Sequence, residues 1–581
     1  MTAWLEYGWK CLDIALVHNT SLGAHNGQII GMTRRDLLRG CGVSAGLAML
    51  SACAPATPAS PTVASTLVAG AATQVGAPAA VVTIAPSAAS TPRAGGTLRA
   101  GLAGELTSID GQQSLPGITA TVGNAYEGLT SYDDTLQPQP VLAESWEQSS
   151  DGKQIKLNLR KGVLFHDGRE FTSDDVKYSL LQLRDPKVAP IVGPLANQSA
   201  WWTTVDTPDK YTIVLASDTP RPGVFDFFQY FTIVDKNIME GPDAQTRVNG
   251  TGPFMFVEWL QSDHVTMKRN PNYWRTGQPY FDGIETHLYR DAQAMVAGLE
   301  GGALDEVDSP NLQDLVRLKD DPKYQALVVA ASGQFVCFVA NTTKPPMDNK
   351  QFRQAINYAI DRQRFVATVF KDLIHIGGGQ DLPFPPQTPA SDATRNQRYT
   401  FDLDKARSLL AASGVSNPEI EMVYSNTSFG DTNTPLAQIV QADLQSIGIA
   451  VNLRPVDFPT QFDLGNRRAY NGLLLSVGSS AQLAEATSLL TRSRFFSPDP
   501  KSSFTGLDNP TYRQLISSAA TEPDLAKRRD LYGQIEDIIL DESASMTVSL
   551  YPQTALASAR VHGLSYDFRP SLTYARAWFA G

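Results

Sequence analysis

From Gly95 onward the chain alternates between two hydrophobic periods, and this limits the folds open to it more than any other feature. GGTLRAGL puts Leu98, Ala100 and Leu102 on one side of an extended backbone, and IKLNLR does the same with Ile155, Leu157 and Leu159. YTIVLAS, from Tyr211, reads as a third strand. Helical stretches lie between. In FTSDDVKYSLLQL, Thr172 and Asp175 have capping-box spacing, and Val176, Leu180 and Leu183 share one face. In MDNKQFRQAINYAIDR, Asp348 reads as the N-cap with Gln351 behind it, ahead of an apolar stripe from Phe352 to Ile360. FDLDKARSLLAASG runs from a cap at Asp402 to a stop at Gly414. A further helix is expected from Leu436 to Ile447, then a strand carrying Ile449, Val451 and Leu453 on one side. Interleaved strands and helices predict an α/β fold. No solenoid or propeller period recurs.

Thr33 to Cys53 has a different logic. Arg34 and Arg35 precede a short apolar run that ends in Leu50, Ser51, Ala52 and Cys53. The run is shorter than the roughly 20 residues of a membrane span and fits the apolar region of an export signal. The paired arginines resemble a twin-arginine export address, and LSAC resembles a lipobox whose Cys53 is acylated. Residues 32–53 are therefore expected to be a signal, and the 31 residues before Met32 a mis-assigned extension. GVSAG at Gly42–Gly46 matches the nucleophile-elbow pattern but lies inside this signal, away from any strand–helix turn. Residues 54–94, rich in Ala, Pro, Ser, Thr and Val, read as a disordered low-complexity linker. As a coil it would reach about 35 Å root-mean-square, enough to tether a folded body to a membrane through Cys53.

The net charge of −11 argues against nucleic acid as a partner, because that contact needs basic surface to displace counterions. Of four cysteines, only Cys337 lies beyond the signal, so no internal disulfide is expected. It sits in FVCFVA, which reads as a buried strand. His166, His264, His287, His375 and His562 show no metal-ligand spacing. Gly377–Gly379 lacks the strand and lysine of a phosphate loop, and the acids of DEVD at Asp305–Asp308 read as a solvated loop. No metal, cofactor or catalytic residue is expected, and the chain reads as a binding protein and not an enzyme.

Several segments in chain order resemble the solute-binding proteins of bacterial ABC importers, in the peptide/nickel-binding family. They include NAYEGLTSYDDTLQPQPVLAESWE from Asn124, RKGVLFHDGREFTSDDVKYSL from Arg160, GTGPFMFVEW from Gly250 and RNPNYW from Arg269. NTTKPPMDNKQFRQAINYAIDR from Asn341, FDLDKARSLLAASGV from Phe401 and a long stretch from Asn509 complete the series. In FHDG, His166 and Asp167 read as shaping a turn at Gly168. Trp146, Trp259 and Trp274 read as packing residues.

This resemblance implies a two-lobed, periplasmic-binding-protein-like α/β fold of type II, with a hinge between lobes. Lobe I would span 95–336, with an extra subdomain at about 112–205, and lobe II 337–545. Residues 546–581 would return to lobe I, and Cys337–Asn341 would form one hinge strand. A small solute, peptide or oligosaccharide, would be enclosed between the lobes of a monomer and delivered to the permease subunits of an importer. The rival readings are a binding component of a sensory system and a secreted hydrolase.

In the family's peptide binders, an aspartate of a W-x-x-D stretch pairs with the peptide amine. Here the matching stretch is YNGLLLSVGSSAQLAEA, with Val477 in place of the tryptophan and Ser480 near the aspartate position. Glu485 could substitute if its loop bends. The serines Ser479 and Ser480 suit a neutral polyol. Thr107, Phe458 and Tyr551 complete the ligand contacts that the resemblance implies.

Overall fold

The computed structural model describes residues 82–83, 91–113, 120–133, 135–192, 194–244, 246–373, 379–479, 483–566 and 572–580. The export and lipidation candidates Arg34, Arg35 and Cys53 lie outside them, as does Ser480. Within the expected linker, Val82 and Thr83 pair with Val328 and Leu327 as a two-residue strand.

The folded chain opens with Thr97–Ala103 (β1). Ala143–Gln148 (β2), Gln154–Leu159 (β3), Thr204–Asp209 (β4) and Thr212–Ala216 (β5) then form a separate antiparallel sheet in the order β2-β3-β5-β4. This small sheet runs past the edge expected at residue 205, because the β4–β5 hairpin pairs Ala216 with Gln154 of β3. Helix α1 (Ser173–Gln182) packs on it, and α2 (Val224–Tyr230) follows. Phe254–Leu260 (β6), His264–Arg269 (β7), Gly283–Tyr289 (β8) and Glu306–Asp308 (β9) return to β1.

The 17-residue strand Tyr324–Ala340 (β10) leads out of this half. Beyond it lie α3 (Lys350–Ala359), α4 (Leu403–Ala412), β11 (Glu419–Ser425), α5 (Gly430–Ser446), β12 (Ala450–Val456), α6 (Phe458–Arg467) and β13 (Gly472–Ser479). Helices α7 (Ala486–Arg492) and α8 (Leu525–Glu542) precede the 14-residue strand Ser545–Ser558 (β14), which runs back. One sheet threads both halves in the order β12-β11-β13-β10-β14-β9-β1-β8-β7-β6.

The junction is the β10–β14 ladder. It pairs from Tyr324↔Ser558 to Val329↔Gln553, breaks, and resumes at Gln334↔Tyr551. In the gap, residues 330–333 stand opposite Pro552 alone. Proline offers no N–H to a ladder, and Gly333 takes φ +75°, which L side chains rarely adopt. The crossing thus lies ahead of Cys337–Asn341. Cys337 sits inside the resumed ladder, fully buried, between Thr547 and Ser476.

Strands at the junction are covered on both faces, so they read as unbroken apolar runs. Phe335, Cys337 and Val339 of β10 face one core with Val423, Leu464 and Leu474. Val336, Phe338 and Ala340 face another with Ile420, Met422, Leu473 and Leu436. Helices α5 and α6 accordingly flank opposite faces.

Most helix starts follow the sequence signals. The Thr172–Asp175 capping box forms, and Asp402 caps α4. Two starts differ. Asn349 caps α3 in place of Asp348: its oxygen accepts the Phe352 N–H while its amide donates to Ser413 O, a tie no carboxylate can make. Helix α5 begins at Gly430, six residues ahead of the expected Leu436, and carries Pro435 within it. Asn433 holds this early turn by donating to the carbonyls of Ser425 and Ser428.

The FHDG turn does more than reverse the chain. The His166 N–H donates to Gly250 O at 2.9 Å, the Gly250 N–H donates to Nδ1 at 3.4 Å, and Nε2 lies 3.0 Å from Gly252 O. The imidazole therefore clamps GTG against the segment around Ala125. A Cβ on Gly250 would lie 1.9 Å from Ala125 O. Gly250→Ala is expected to destabilise the protein by about 2 kcal/mol through overpacking, read as a lowered urea midpoint. An unchanged midpoint would count against this packing.

Candidate functional site

The strand directions converge on the junction. In the first half, β1 runs parallel to both of its neighbours, β8 and β9, and β9 ends beside β14 close to the break, where the Ser309 N–H donates to Thr554 O. In the second half, β11 is parallel to both β12 and β13, and β13 ends at Ser479 opposite Gln334. From β11 the chain crosses by α5 to β12, then by α6 over the other face to β13. Ligands in open α/β sheets sit outside the carboxyl ends of strands at such a change of direction.

Ser479 and Tyr551 are brought together, because each pairs with Gln334 from a neighbouring strand. The Tyr551 ring is buried edge-on against Phe370 and Phe429, with centroids 5.7 and 5.0 Å away. Burial holds its phenol proton well above the ordinary range, and the charge of Asp431 adds to this. Thr107 is exposed on the loop after β1, between buried Leu106 and Ser108. Phe458 opens α6 with 44 % of its surface exposed. Its N–H donates to Thr427 Oγ1 at 3.2 Å, which ties it to the loop after β11. Sequence reasoning missed Gln334 and Thr427. Their signals were a glutamine interrupting the apolar run of β10 and the polar cluster SNTS directly after a strand.

Glu485 does not reach out to replace the missing aspartate. It is buried, with its oxygens 3.0 and 3.2 Å from the Arg528 guanidinium and a further bond from the Tyr532 hydroxyl. Beside it sits Asp226 of α2, also missed. Asp226 accepts the N–H groups of Ala484 at 2.8 Å and Glu485 at 3.1 Å, just ahead of α7, and the Tyr132 hydroxyl at 2.8 Å. It thereby links the helix after the small sheet to the segment that follows β13. Full burial pushes its carboxyl up to about 6, and the neighbouring charge of Glu485 adds to this.

A separate cavity of about 750 Å³ is lined by residues between 123 and 278 and between 566 and 576, with none from β11, β12 or β13. The chain between β7 and β8 supplies Tyr273, Trp274, Arg275 and Gln278 to its wall, and Tyr566 in the same wall donates to Asp308 at the end of β9 and to Thr554 O, both at 2.7 Å. Among the described residues no group of three His, Cys, Asp or Glu side chains could hold a metal ion, and no helix is long and apolar enough to cross a membrane.

Comparison with known proteins decides the family. Residues 137–493 match the model for bacterial extracellular solute-binding proteins, family 5, middle region. The chain belongs to the family 5 solute-binding proteins. Heme-binding protein A of Haemophilus influenzae is 29 % identical over 454 residues, covering 73 % of this chain and 81 % of that protein. Glutathione-binding protein GsiB of Pectobacterium atrosepticum is 28 % identical over 454 residues, covering 74 % and 84 %. Among solved structures, the binding protein AgaA in complex with agropinic acid, from A. tumefacien R10, superposes with a TM-score of 0.71 at 24 % identity, covering 84 % of this chain and 99 % of its own. The fold is thus the two-lobed periplasmic-binding-protein architecture. As a family 5 protein the chain is the solute-binding component of an ABC importer and not an enzyme.

Proposed function

We propose that this protein captures a peptide-like or oligosaccharide solute outside the cytoplasm, between its two lobes, and delivers it to the permease subunits of an importer. The lobes would meet at the break in the β10–β14 ladder. The observation that carries this reading is the convergence of Gln334, Ser479 and Tyr551 at one register level beside that break. Thr107 would approach from the first half, and Thr427 and Phe458, tied to each other by the Phe458 N–H, from the second. Ser480 would join them from the loop after β13. A solute touching both lobes only when they are closed shifts the open–closed equilibrium, and this is how binding is signalled to a transporter. Anchoring through an acylated Cys53, after export addressed by Arg34 and Arg35, would hold the monomer near its permease.

Support for a peptide-like solute comes from the relative named for glutathione, and support for a neutral mode of recognition from the engagement of Glu485. With that carboxylate committed to Arg528, recognition would rest on neutral hydrogen-bonding groups and the Phe458 ring and not on an ion pair to a free ammonium. The test is mass spectrometry of solute released from the purified protein, followed by thermal shift with glutathione, dipeptides and oligosaccharides. A solute held only by the native state raises the melting temperature. Phe458→Ala is expected to weaken the bound solute about tenfold through lost apolar contact. Unchanged affinity in both Phe458→Ala and Ser479→Ala would place the solute elsewhere.

A further inference from the structure

The cavity of about 750 Å³ in the first half gathers positive charge in a chain that is acidic overall. Three arginines line it: Arg160, Arg275 and Arg576. None makes an ion pair with a carboxylate among the described residues, whereas Arg99, Arg269, Arg317, Arg353, Arg395 and Arg528 are all so paired. Arg160 and Arg275 are held in place by Trp274, with their guanidinium carbons 4.2 and 4.6 Å from its ring centroid. Such cation–π contacts fix a guanidinium without neutralising it.

Glu127, in the cavity wall, feels the charge of Arg275 but makes no ion-pair contact with it: its oxygens accept from Thr251, Tyr273 and Trp274. Asp133, the other acid in the lining, has its oxygens taken up within its own turn by Thr135, Gln137 and Gln139. Two polar atoms are left over. Nε of Arg275 and Oε1 of Gln278 are shielded from solvent, and neither has a hydrogen-bond partner among the described residues. Buried polar atoms are normally satisfied. Here one atom seeks an acceptor and the other a donor, in a space large enough for a small molecule.

We propose that this cavity is a second binding site, for a small hydroxylated organic anion. Its carboxylate or phosphate oxygens would accept from the guanidinium groups, whose planar fork matches both, and its hydroxyl would donate to Gln278. No residue of β11–β13 lines this cavity, so the variants below tell it apart from the solute site at the junction.

The full chain would be titrated calorimetrically with citrate, malate, glucose 6-phosphate and inorganic phosphate. At least one organic anion is expected to bind more tightly than inorganic phosphate, with affinity falling as salt rises. Arg576→Ala, at an exposed position that should not disturb folding, is expected to weaken that anion about tenfold or more, and Arg275→Gln likewise. Phe458→Ala should leave it unchanged. Silence across the whole panel, or binding indifferent to Arg576→Ala and Arg275→Gln, would overturn the site. Binding lost in Phe458→Ala but kept in the arginine variants would overturn it too, by assigning the anion to the junction between the lobes. A failure of solute capture alone would leave this result standing.

Discussion

Glu485→Ala is expected to lower the free energy of unfolding by about 3–5 kcal/mol, because it strands a buried guanidinium. The side chains of Glu485 and Arg528 are each only 9 % exposed. Arg528 also donates to the carbonyls of Glu522 and Pro523, so it cannot swing out to water without releasing the start of α8. The reverse design discriminates between pairing and mere packing. Glu485→Gln combined with Arg528→Met removes both charges and should recover much of the loss, since the penalty comes from an unpaired charge and not from the absence of a pair. Urea unfolding of Glu485→Gln, Arg528→Met and the double variant closes the cycle. A loss under about 1 kcal/mol for Glu485→Ala, accompanied by loss of solute binding, would mean that the carboxylate serves the solute after all.

How far the sequence reaches can be judged at this spot. The strand β13 carries a visible signal, the apolar run LLL whose leucines are buried on both faces, but the stretch is read only for its place in the family pattern and not as a strand ending at Ser479. The fate of Glu485 was not legible, because Arg528 is 43 residues away on another helix and nothing in local pattern announces a pair formed by tertiary packing. Asp226 is hidden for the same reason. An acid inside VFDFFQY looks misplaced until the N–H groups of Ala484 and Glu485 arrive to meet it. Periodicity and caps are local and survive in one dimension. The break in the β10–β14 ladder was half visible: Gly333 and Pro552 are both strand-breaking residues, but only the register shows that they face each other. FHDG was readable as a turn at Gly168, which takes φ +91°. Its partner segment at Gly250 was not readable, because the clamp joins sites 84 residues apart.

His166 and Asp226 should give the protein opposing acid responses that nearly offset each other. His166 is buried with both ring nitrogens engaged, and burial lowers its pKa to about 4 from an ordinary 6.5. As pH falls below 6.5 the unfolded chain takes up a proton that the folded imidazole refuses, so stability is lost on acidification. Between pH 7 and 4.5 that loss amounts to about 2.5 kcal/mol. Asp226 runs the other way. Its folded pKa of about 6 lies above the ordinary 3.8, so the folded state takes up a proton first and gains about 2 kcal/mol over the same range. Single variants separate the two. The stability difference between wild type and His166→Asn should shrink by about 2.5 kcal/mol from pH 7 to pH 4.5, whereas that between wild type and Asp226→Asn should grow by about 2 kcal/mol. Differences against wild type at each pH remove the contribution of every other titrating group. Slopes of the same sign would show that the imidazole does not stay neutral in the folded clamp, or that the Asp226 carboxylate is not sequestered where α2 meets the start of α7.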